Sequence, residues 1–188
     1  MRWIVGILLA LVVLTAVYIG TAVASLSGLV EDTRKGDAAA VMSRIDLARL
    51  RASLAEQIVR AHFGHIEQRR PVKTIERIAA PTVVDALLAR LLTPENITKV
   101  LQSGTLQVDT AATPAVIALP SLDSARLDNT GRLLTRLRPK SPVQLQVLLD
   151  DAGETAIRIH YEGTHWKLSG LDLPPAALEK LVAGIAVK

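Results

Sequence analysis

An unbroken apolar segment begins the chain. No side chain between Arg2 and Glu31 is charged, and from Ile4 to Ala24 nearly every residue is Ile, Leu, Val, Ala, Gly or Thr. At about 1.5 Å per residue, a helix over this segment measures about 31 Å, which matches the roughly 30 Å hydrocarbon core of a bilayer. The pattern predicts an N-terminal transmembrane anchor within residues 1–30.

The same segment has two features of a cleaved secretory signal. Arg2 supplies a basic start, and Ala22-Val23-Ala24 before Ser25 is an acceptable cleavage site. The apolar stretch of a signal peptide is only about 7–15 residues long, so length favours a retained anchor over a signal peptide. In both cases we expect the domain to leave the cytoplasm. Basic residues lie on both flanks, which leaves a cytoplasmic domain as the alternative orientation.

After Glu31, capping residues and the spacing of apolar residues predict a series of shorter helices. Gly36 suits the end of one helix and Asp37 the N-cap of the next, so we expect the first helix to run to Lys35 and a short helix to cover Ala38 to Ser43. Asp46 can cap a longer helix, in which apolar residues recur every three or four positions and form one buried face. These residues are Leu47, Leu50, Leu54, Ile58 and Ala61.

Two more helices are predicted before the middle of the chain. The first is expected from Pro81 to Leu92, and the second begins at Thr93-Pro94-Glu95, an N-cap followed by proline in the first turn. Gly104 marks the end of the second helix. From Thr105 to Lys140 the periodicity fades, and we expect loops with a short strand or helix.

The C-terminal part alternates with period two, which is typical of strands. Val143 to Leu149 and Thr155 to Tyr161 alternate around turn residues, and a third strand from His165 to Leu173 changes phase near Gly170, as a β-bulge would. The pattern predicts an antiparallel meander. After Pro174-Pro175 a final amphipathic helix is predicted, with apolar residues at Leu178, Leu181, Val182 and Ile185.

These elements predict an α+β fold. We expect an N-terminal transmembrane helix, helices packed on a C-terminal antiparallel meander sheet, and a final amphipathic helix, with residues 31–188 forming a single domain. This layout loosely resembles the cone-shaped nuclear-transport-factor-like folds.

Composition excludes several kinds of site. Cysteine is absent, so the chain has no disulfide, thiolate nucleophile or cysteine-based metal site. Aromatic residues make up only 3% of the chain, which disfavours the stacking platforms that bind nucleic acid. The excess of basic residues lies between Glu31 and Ala80. It is interpreted as a solvated helical face, with contact to anionic lipid headgroups as the alternative.

Short motifs resemble one bacterial family. Gly-Asp precedes Ile-Asp and then Leu-Arg-x-Ser-Leu, a helix opened by proline follows in a Leu-rich region, and a Trp-Lys-Leu strand leads to Leu-Pro. In this pattern the chain is similar to membrane-anchored proteins known as domain of unknown function twenty-nine thirty-nine. The resemblance implies a bacterial envelope protein and brings no reaction, ligand or catalytic residue. Its motif positions here are Gly36, Asp37, Asp46, Leu50, Arg51, Ser53, Leu54 and Trp166.

We expect structural roles at these motif positions. Gly36 ends a helix and Asp46 caps one. Arg51 is expected to bridge to a sheet carboxylate or a loop carbonyl, with contact to an anionic ligand as the alternative. Trp166 is expected in the core with its indole nitrogen on a carbonyl, or lining a cavity.

Other candidate chemistry is weak. His62 and His65 share a helix face, and His160 and His165 flank a turn, but spacing alone does not make a metal site. Asp123 and Asp128 lack a neighbouring third group for acid–base work. A basic cluster is expected to be solvated, with a lipid headgroup or acidic partner as the alternative; it comprises Arg132, Arg136, Arg138 and Lys140. We therefore expect no catalytic residue, no cofactor and no metal.

Three functions remain open from the sequence. The first is a single-pass protein of the bacterial inner membrane whose periplasmic domain is a non-enzymatic module for a protein partner or an apolar ligand. The second is a small hydrolase-type enzyme with its site in the helix–sheet cavity. The third is a structural subunit of a membrane assembly. Nucleic acid is not expected as a partner, and the oligomeric state is open.

Overall fold

The computed structural model of the chain describes residues 2–67, 74–109, 114–118, 121–122 and 134–185. The helices are α1 (Arg2–Lys35), α2 (Ala38–Ser43), α3 (Leu47–Glu67), α4 (Thr74–Leu91), α5 (Pro94–Ser103) and α6 (Pro175–Ile185). The strands are β1 (Thr105–Asp109), β2 (Pro114–Ala118), β3 (Leu137–Ser141), β4 (Gln144–Leu148), β5 (Ala156–Glu162) and β6 (His165–Asp172).

Helix α1 is continuous to Lys35, as the sequence predicts, and its two halves have different surroundings. The large apolar side chains from Trp3 to Val17 are 53–88% exposed, whereas a stripe in the second half is buried against the domain. The helix ends at Gly36, which adopts a left-handed φ of 70°. The buried stripe consists of Ala22, Leu26, Leu29, Val30 and Thr33.

The helix starts follow their capping residues. Asp37 caps α2 and Asp46 caps α3 by accepting from the backbone N–H three residues further on. Thr93 caps α5 in the same way, and Gly104 ends that helix at a φ of 67°. These starts and stops confirm the predicted boundaries of α2, α3 and α5.

Helix α4 differs from its prediction. It begins at Thr74, so Pro81 lies inside the helix and does not open it. A proline removes one hydrogen bond of the ladder, which packing of the following turns can offset. Val84 and Leu88 are buried, while Leu87 and Leu91 are only partly covered.

The main sheet has four antiparallel strands in the order β3-β4-β5-β6. The predicted meander is therefore confirmed and gains an edge strand, β3, which the sequence did not indicate because Pro139 interrupts it. Proline is tolerated there because an edge strand leaves one row of N–H groups unpaired. Arg158 pairs with Gly170 and Ile159 with Leu168, so the predicted bulge lies at Ser169.

The stretch between α5 and the main sheet contains a two-stranded antiparallel ribbon, β1–β2. Its register pairs Thr105 with Ala118 and Asp109 with Pro114. The sequence allowed for a short strand here, but the proline-rich pattern hid the pairing.

One face of the main sheet forms the core. Cross-strand neighbours such as Leu145–Ile159 and Val147–Ile157 are buried there, and helices α1 and α3 pack along β6. The segment before α3 extends the sheet, since Asp46 N donates to Leu168 O and Leu168 N donates to Arg44 O. The fold is α+β with an open sheet, and the likeness to cone-shaped folds stays a prediction.

Candidate functional site

An apolar cavity lies between the helices and the buried face of the sheet. Its volume is about 70 Å³. Helices α3, α4 and α5 supply most of its wall, and β5, β6 and α6 complete it. The lining residues are Leu50, Leu54, Ile58, Leu88, Leu91, Leu92, Asn96, Ile97, Val100, Leu101, Ile157, Leu168, Leu171, Leu173 and Leu181.

The helical period of α3 explains the cavity's position. Leu50, Leu54 and Ile58 recur every four residues, so one stripe of α3 faces both the sheet and helices α4 and α5. Ile157 and Leu171 are cross-strand partners on the same sheet face. The family-motif leucines therefore contribute directly to this cavity.

The cavity wall carries little chemistry. Asn96 is the one polar residue in the described lining, and no charged side chain lines it among the described residues. General acid–base or nucleophilic catalysis needs convergent titratable groups. The described part of this wall offers mainly apolar contacts to a ligand.

A polar cluster lies at the start of α3 and the end of β5. His160 is only 3% exposed, and its Nε2 lies 3.6 Å from Asp46 Oδ2 and 3.9 Å from Glu162 Oε2. Arg49 contacts Asp46 at 3.1 Å, and Lys167 contacts Glu162 at 2.9 Å. Two carboxylates, two cations and a buried imidazole therefore meet in one place.

Burial and charge set the protonation of this cluster. Desolvation lowers the pKa of His160 from its usual 6.5, and the Arg49 charge lowers it further, against the opposite effects of Asp46 and Glu162. The hydrogen bond and charge of Lys167 hold the pKa of Glu162 below its usual value. At neutral pH the imidazole is therefore uncharged beside the ionised carboxylate of Glu162.

A second polar group joins α3 to the sheet. Arg158 donates to Ser53 Oγ and lies 3.0 Å from Asp172 Oδ1, which places a family-motif serine in a structural contact. Gln57 Nε2 donates to Leu171 O at 2.8 Å. These bonds fix the helix over β6 and leave no open polar pocket among the residues described there.

Arg51 and Trp166 differ in detail from their predictions. Arg51 binds Asp85 of helix α4, through the carboxylate at 2.6 Å and the backbone carbonyl at 2.8 Å, and not a sheet carboxylate or a loop. Trp166 is buried, but its indole nitrogen donates to Thr21 Oγ1 at 3.2 Å and not to a carbonyl. Asp85 lies on α4 and Thr21 on α1. Both are distant in the sequence from the residues that they contact, so the sequence pattern did not indicate these pairs.

The remaining candidate residues are dispersed or lie outside the described part. His62 packs edge-on against Phe63, and His165 is exposed beside Thr164. The described side chains, which do not include that of His65, do not bring the two histidine pairs together. Asp123, Asp128 and Arg132 also lie outside the described residues.

The basic cluster is spread along the edge of the sheet. Arg136 binds Leu149 O and Asp151, Arg138 binds Thr135 O, and Lys140 is exposed on β3. Arg136 and Arg138 therefore bond to the chain itself, and the solvated patch stays a prediction.

One end of the sheet lies beside the exposed half of α1. The turn between β3 and β4 contains Pro142, whose carbonyl accepts a hydrogen bond from Tyr18 Oη. The Tyr18 ring also packs edge-on against Trp166, at 4.9 Å between centroids. Because the strands are antiparallel, the β5–β6 turn at Gly163 lies at this same end. We call Tyr18, Val143, Tyr161 and the two turns the membrane-side rim.

Comparison with known families gives a match over part of the chain. Residues 11–100 match a family described as "Protein of unknown function (DUF2939)". The chain therefore carries a DUF2939 region. Comparisons with curated proteins and with solved structures gave no significant match.

The DUF2939 region includes α1 from residue 11 onward, helices α2 to α4 and α5 as far as Val100, with the motif residues from Gly36 to Leu54. It supplies the helical wall of the cavity. Trp166 and the sheet lie outside the match, so the resemblance of the Trp-Lys-Leu strand to the family stays a prediction. Helix α1, which begins before the match, is long and apolar enough to cross a membrane, a property that a signal sequence shares.

The sequence missed the pairing of Asp46 with His160. The two residues are far apart along the chain, and nothing in α3 indicates which strand its start will meet. One local signal was available: His160 and Glu162 are two apart on a strand and so share a face. The sequence carries no signal for the cavity, because the lining consists mainly of leucines and isoleucines of the kind found in any core.

Proposed function

We propose that the chain is a single-span membrane protein whose α+β domain lies directly on the bilayer and binds an apolar ligand in its cavity. We place the domain on the periplasmic side of a bacterial inner membrane, with Arg2 on the cytoplasmic side; because basic residues lie on both flanks of the span, the opposite orientation is the alternative that the test must separate. The observation that carries the binding role is the uncharged cavity between α3, α4, α5 and the sheet.

Retention of the anchor is supported by its packing. Tyr18, Thr21 and Ala22 precede the candidate cleavage site, and all three contact or are buried in the domain. Cleavage before Ser25 would remove these contacts and expose the face of Trp166 that they cover. A helix that supplies part of the core is a costly element to discard.

The domain has no spacer between itself and the membrane. The exposed apolar part of α1, from Trp3 to Val17, measures about 22 Å, which is shorter than the roughly 30 Å of a hydrocarbon core. A short span draws its flanking structure toward the bilayer or thins the bilayer. We therefore place the membrane-side rim in the headgroup region.

Aromatic residues support this placement. The chain has two Tyr and two Trp. Trp3 lies at one end of the exposed segment, while Tyr18, Tyr161 and Trp166 form a cluster at the other end. Tyr and Trp are enriched at the two membrane–water interfaces.

The same geometry changes the interpretation of the basic residues after the span. Arg34 and Lys35 lie at the far end of α1, about 25 Å along the helix axis from Tyr18. Lys35 pairs there with Glu31 at 2.7 Å. In the proposed mounting these residues are too far from the bilayer for headgroup contact, so the solvated interpretation fits better.

The ligand is an apolar group of limited size. An engineered apolar cavity of about 150 Å³ stays dry and binds benzene, and this cavity is about half as large. We propose the terminal part of an acyl chain as its occupant, since the lining offers no partner for a charged headgroup.

Native mass spectrometry of the full chain, released from detergent micelles, tests the ligand. We expect an adduct with the mass of an acyl-chain lipid on the wild-type protein and on Val59→Phe, a partly buried position outside the lining. Val100→Phe, which fills the cavity, is expected to lose the adduct. A wild-type protein without adduct, together with a raised melting temperature of Val100→Phe, would show that the cavity is only a packing defect.

The mature N-terminus and alkaline extraction test the anchor. We expect intact mass to include Arg2, and the protein to stay in the membrane pellet at high pH. Protease added to spheroplasts should digest the domain if it is periplasmic. A mature chain beginning at Ser25, or release by alkali, would overturn the anchored arrangement.

A further inference from the structure

We propose that Asp46, His160 and Glu162 form a binding site for one divalent transition-metal ion, with zinc as the best match. The site lies on the polar face of the sheet, away from the apolar cavity, and it does not depend on the proposed binding of an acyl chain. It departs from the expectation, drawn from sequence, that the chain has no metal site.

The first argument is the state of His160. Its side chain is almost completely buried, and neither ring nitrogen has a hydrogen-bond partner in the part of the chain that the structure describes. Its Nε2 points at carboxylate oxygens of Asp46 and Glu162, but at 3.6 and 3.9 Å these contacts are too long for hydrogen bonds. A buried polar group without a partner costs free energy, which a bound ion would recover.

The second argument is the separation of the ligand atoms. One ligand atom from each of the three residues lies within 4.8 Å of the others. Zinc binds imidazole nitrogen at about 2.0–2.1 Å and carboxylate oxygen at about 2.0–2.2 Å, so tetrahedral ligand atoms are about 3.4 Å apart. The observed contacts to Nε2 are longer than this by only a few tenths of an ångström. Rotations of the Asp46 and Glu162 side chains that shorten all three separations to about 3.4 Å would close the coordination sphere.

The third argument is charge balance. Arg49 and Lys167 now neutralise Asp46 and Glu162, at 3.1 and 2.9 Å. One divalent ion would replace both monovalent cations without changing the net charge around the carboxylates. The Arg49 side chain is 57% exposed and can turn into solvent. The two cations are therefore competitors of the metal, which is a consequence that can be tested.

The ligand set selects the metal class. Imidazole nitrogen suits zinc and similar transition metals, whereas magnesium prefers an all-oxygen octahedral shell. Three protein ligands leave a fourth tetrahedral position for water. We therefore expect zinc to bind and magnesium not to compete with it.

The test is calorimetric titration of the tag-free full chain in detergent with zinc chloride alone. We expect one zinc per chain and at least a tenfold loss of affinity in His160→Gln and in Glu162→Gln. His165→Gln, an exposed histidine on the next strand, is the matched control and should bind as the wild type does. Circular dichroism establishes that each variant is folded, and the half-exposed Glu162 provides the second variant if His160→Gln unfolds.

Zinc titration of variants that lack one of the competing cations distinguishes a metal site from an ion-pair network. Lys167→Gln and Arg49→Gln should each bind zinc several-fold more tightly than the wild type, because each frees one carboxylate. A plain ion-pair network predicts no zinc binding in any of these variants. Absence of binding in both the wild type and Lys167→Gln, or binding that His160→Gln leaves unchanged, would overturn the proposal. Neither outcome bears on the lipid adduct.

Discussion

Trp166 connects the second half of α1 to the sheet through both its ring and its backbone. Its ring packs edge-on against Tyr18 and Tyr161, and its indole nitrogen donates to Thr21. Its carbonyl accepts a hydrogen bond from Ser25 at 2.8 Å. In a chain with so few aromatic residues, this cluster concentrates contact area at the point where the helix enters the domain.

The contact between Trp166 and Thr21 leads to a prediction about stability. Thr21→Val removes the acceptor and should lower the free energy of unfolding by about 1 kcal/mol. Trp166→Phe keeps the ring contacts and should cost a similar amount, whereas Trp166→Ala should cost about 3–5 kcal/mol because it also leaves a cavity. Chemical unfolding of the full chain in detergent measures these differences.

The double variant provides the control for this pair. Since both single changes break the same hydrogen bond, Thr21→Val with Trp166→Phe should destabilise the protein by less than the sum of the two. Strict additivity would contradict the contact. No effect of Thr21→Val in the mature protein would contradict retention of α1.

At the scale of elements, the β4–β5 turn depends on one carboxylate. Asp150 accepts from Glu154 N at 3.0 Å and from Thr155 N at 2.8 Å, which closes the turn around Gly153. Burial raises the pKa of Asp150, but the hydrogen bonds from Thr155, Glu154 and Gly153 outweigh it and hold the pKa below 3.8. The ionised carboxylate is therefore the form that stabilises the turn.

This shift predicts a pH-dependent effect of Asp150→Asn. The stabilisation is fully present above the unfolded-state pKa of 3.8 and is lost as the pH falls through the lower folded-state pKa. At pH 7 the variant should be less stable by about 1.5–3 kcal/mol, the usual contribution of hydrogen bonds to a charged group. The difference should shrink in unfolding experiments carried out at successively lower pH below this value.

Glu154→Gln is the matched control for the turn. It removes the charge of an exposed neighbouring side chain and leaves in place the backbone N–H that donates to Asp150. We expect Glu154→Gln to change the free energy of unfolding little, both at pH 7 and at pH values below 3.8. A gap between Asp150→Asn and the wild type that widens on acidification would contradict the assignment.

The sequence predicted elements well where local chemistry sets their limits. Gly36, Asp37, Asp46 and Thr93 mark helix ends because caps act within one turn. The alternation from Val143 to Tyr161 marks strands because one sheet face is buried. Local signals of this kind need no knowledge of the partner.

The sequence failed where the partner decides. In α1 an apolar run has the same residue types on every face, so the buried stripe from Ala22 to Thr33 does not stand out. The cavity is a gap between elements, and a gap has no residue type of its own. The His160 cluster depends on how α3 meets β5, which is a matter of packing and not of local pattern.

At the scale of the whole molecule, α1 determines which end of the domain is proposed to meet the bilayer. Its exposed half leaves the domain beside Tyr18, and the β3–β4 and β5–β6 turns lie at that end. Val143 and Tyr161 are 52% and 38% exposed there. The β4–β5 turn, with Glu154, lies at the opposite end of the sheet. We therefore expect the two ends of the sheet to lie at different distances from the bilayer.

The absence of cysteine allows this difference to be measured with single-cysteine variants. Val143→Cys and Glu154→Cys each carry a polarity-sensitive fluorophore on the full chain in lipid vesicles. Because the membrane-side rim is proposed to lie among the headgroups, the probe at position 143 should emit at shorter wavelength and be quenched by brominated lipids. The probe at 154 occupies a comparable exposed turn and should show neither effect. Equal emission and equal quenching at both positions would mean that the domain stands clear of the bilayer, even if α1 spans it.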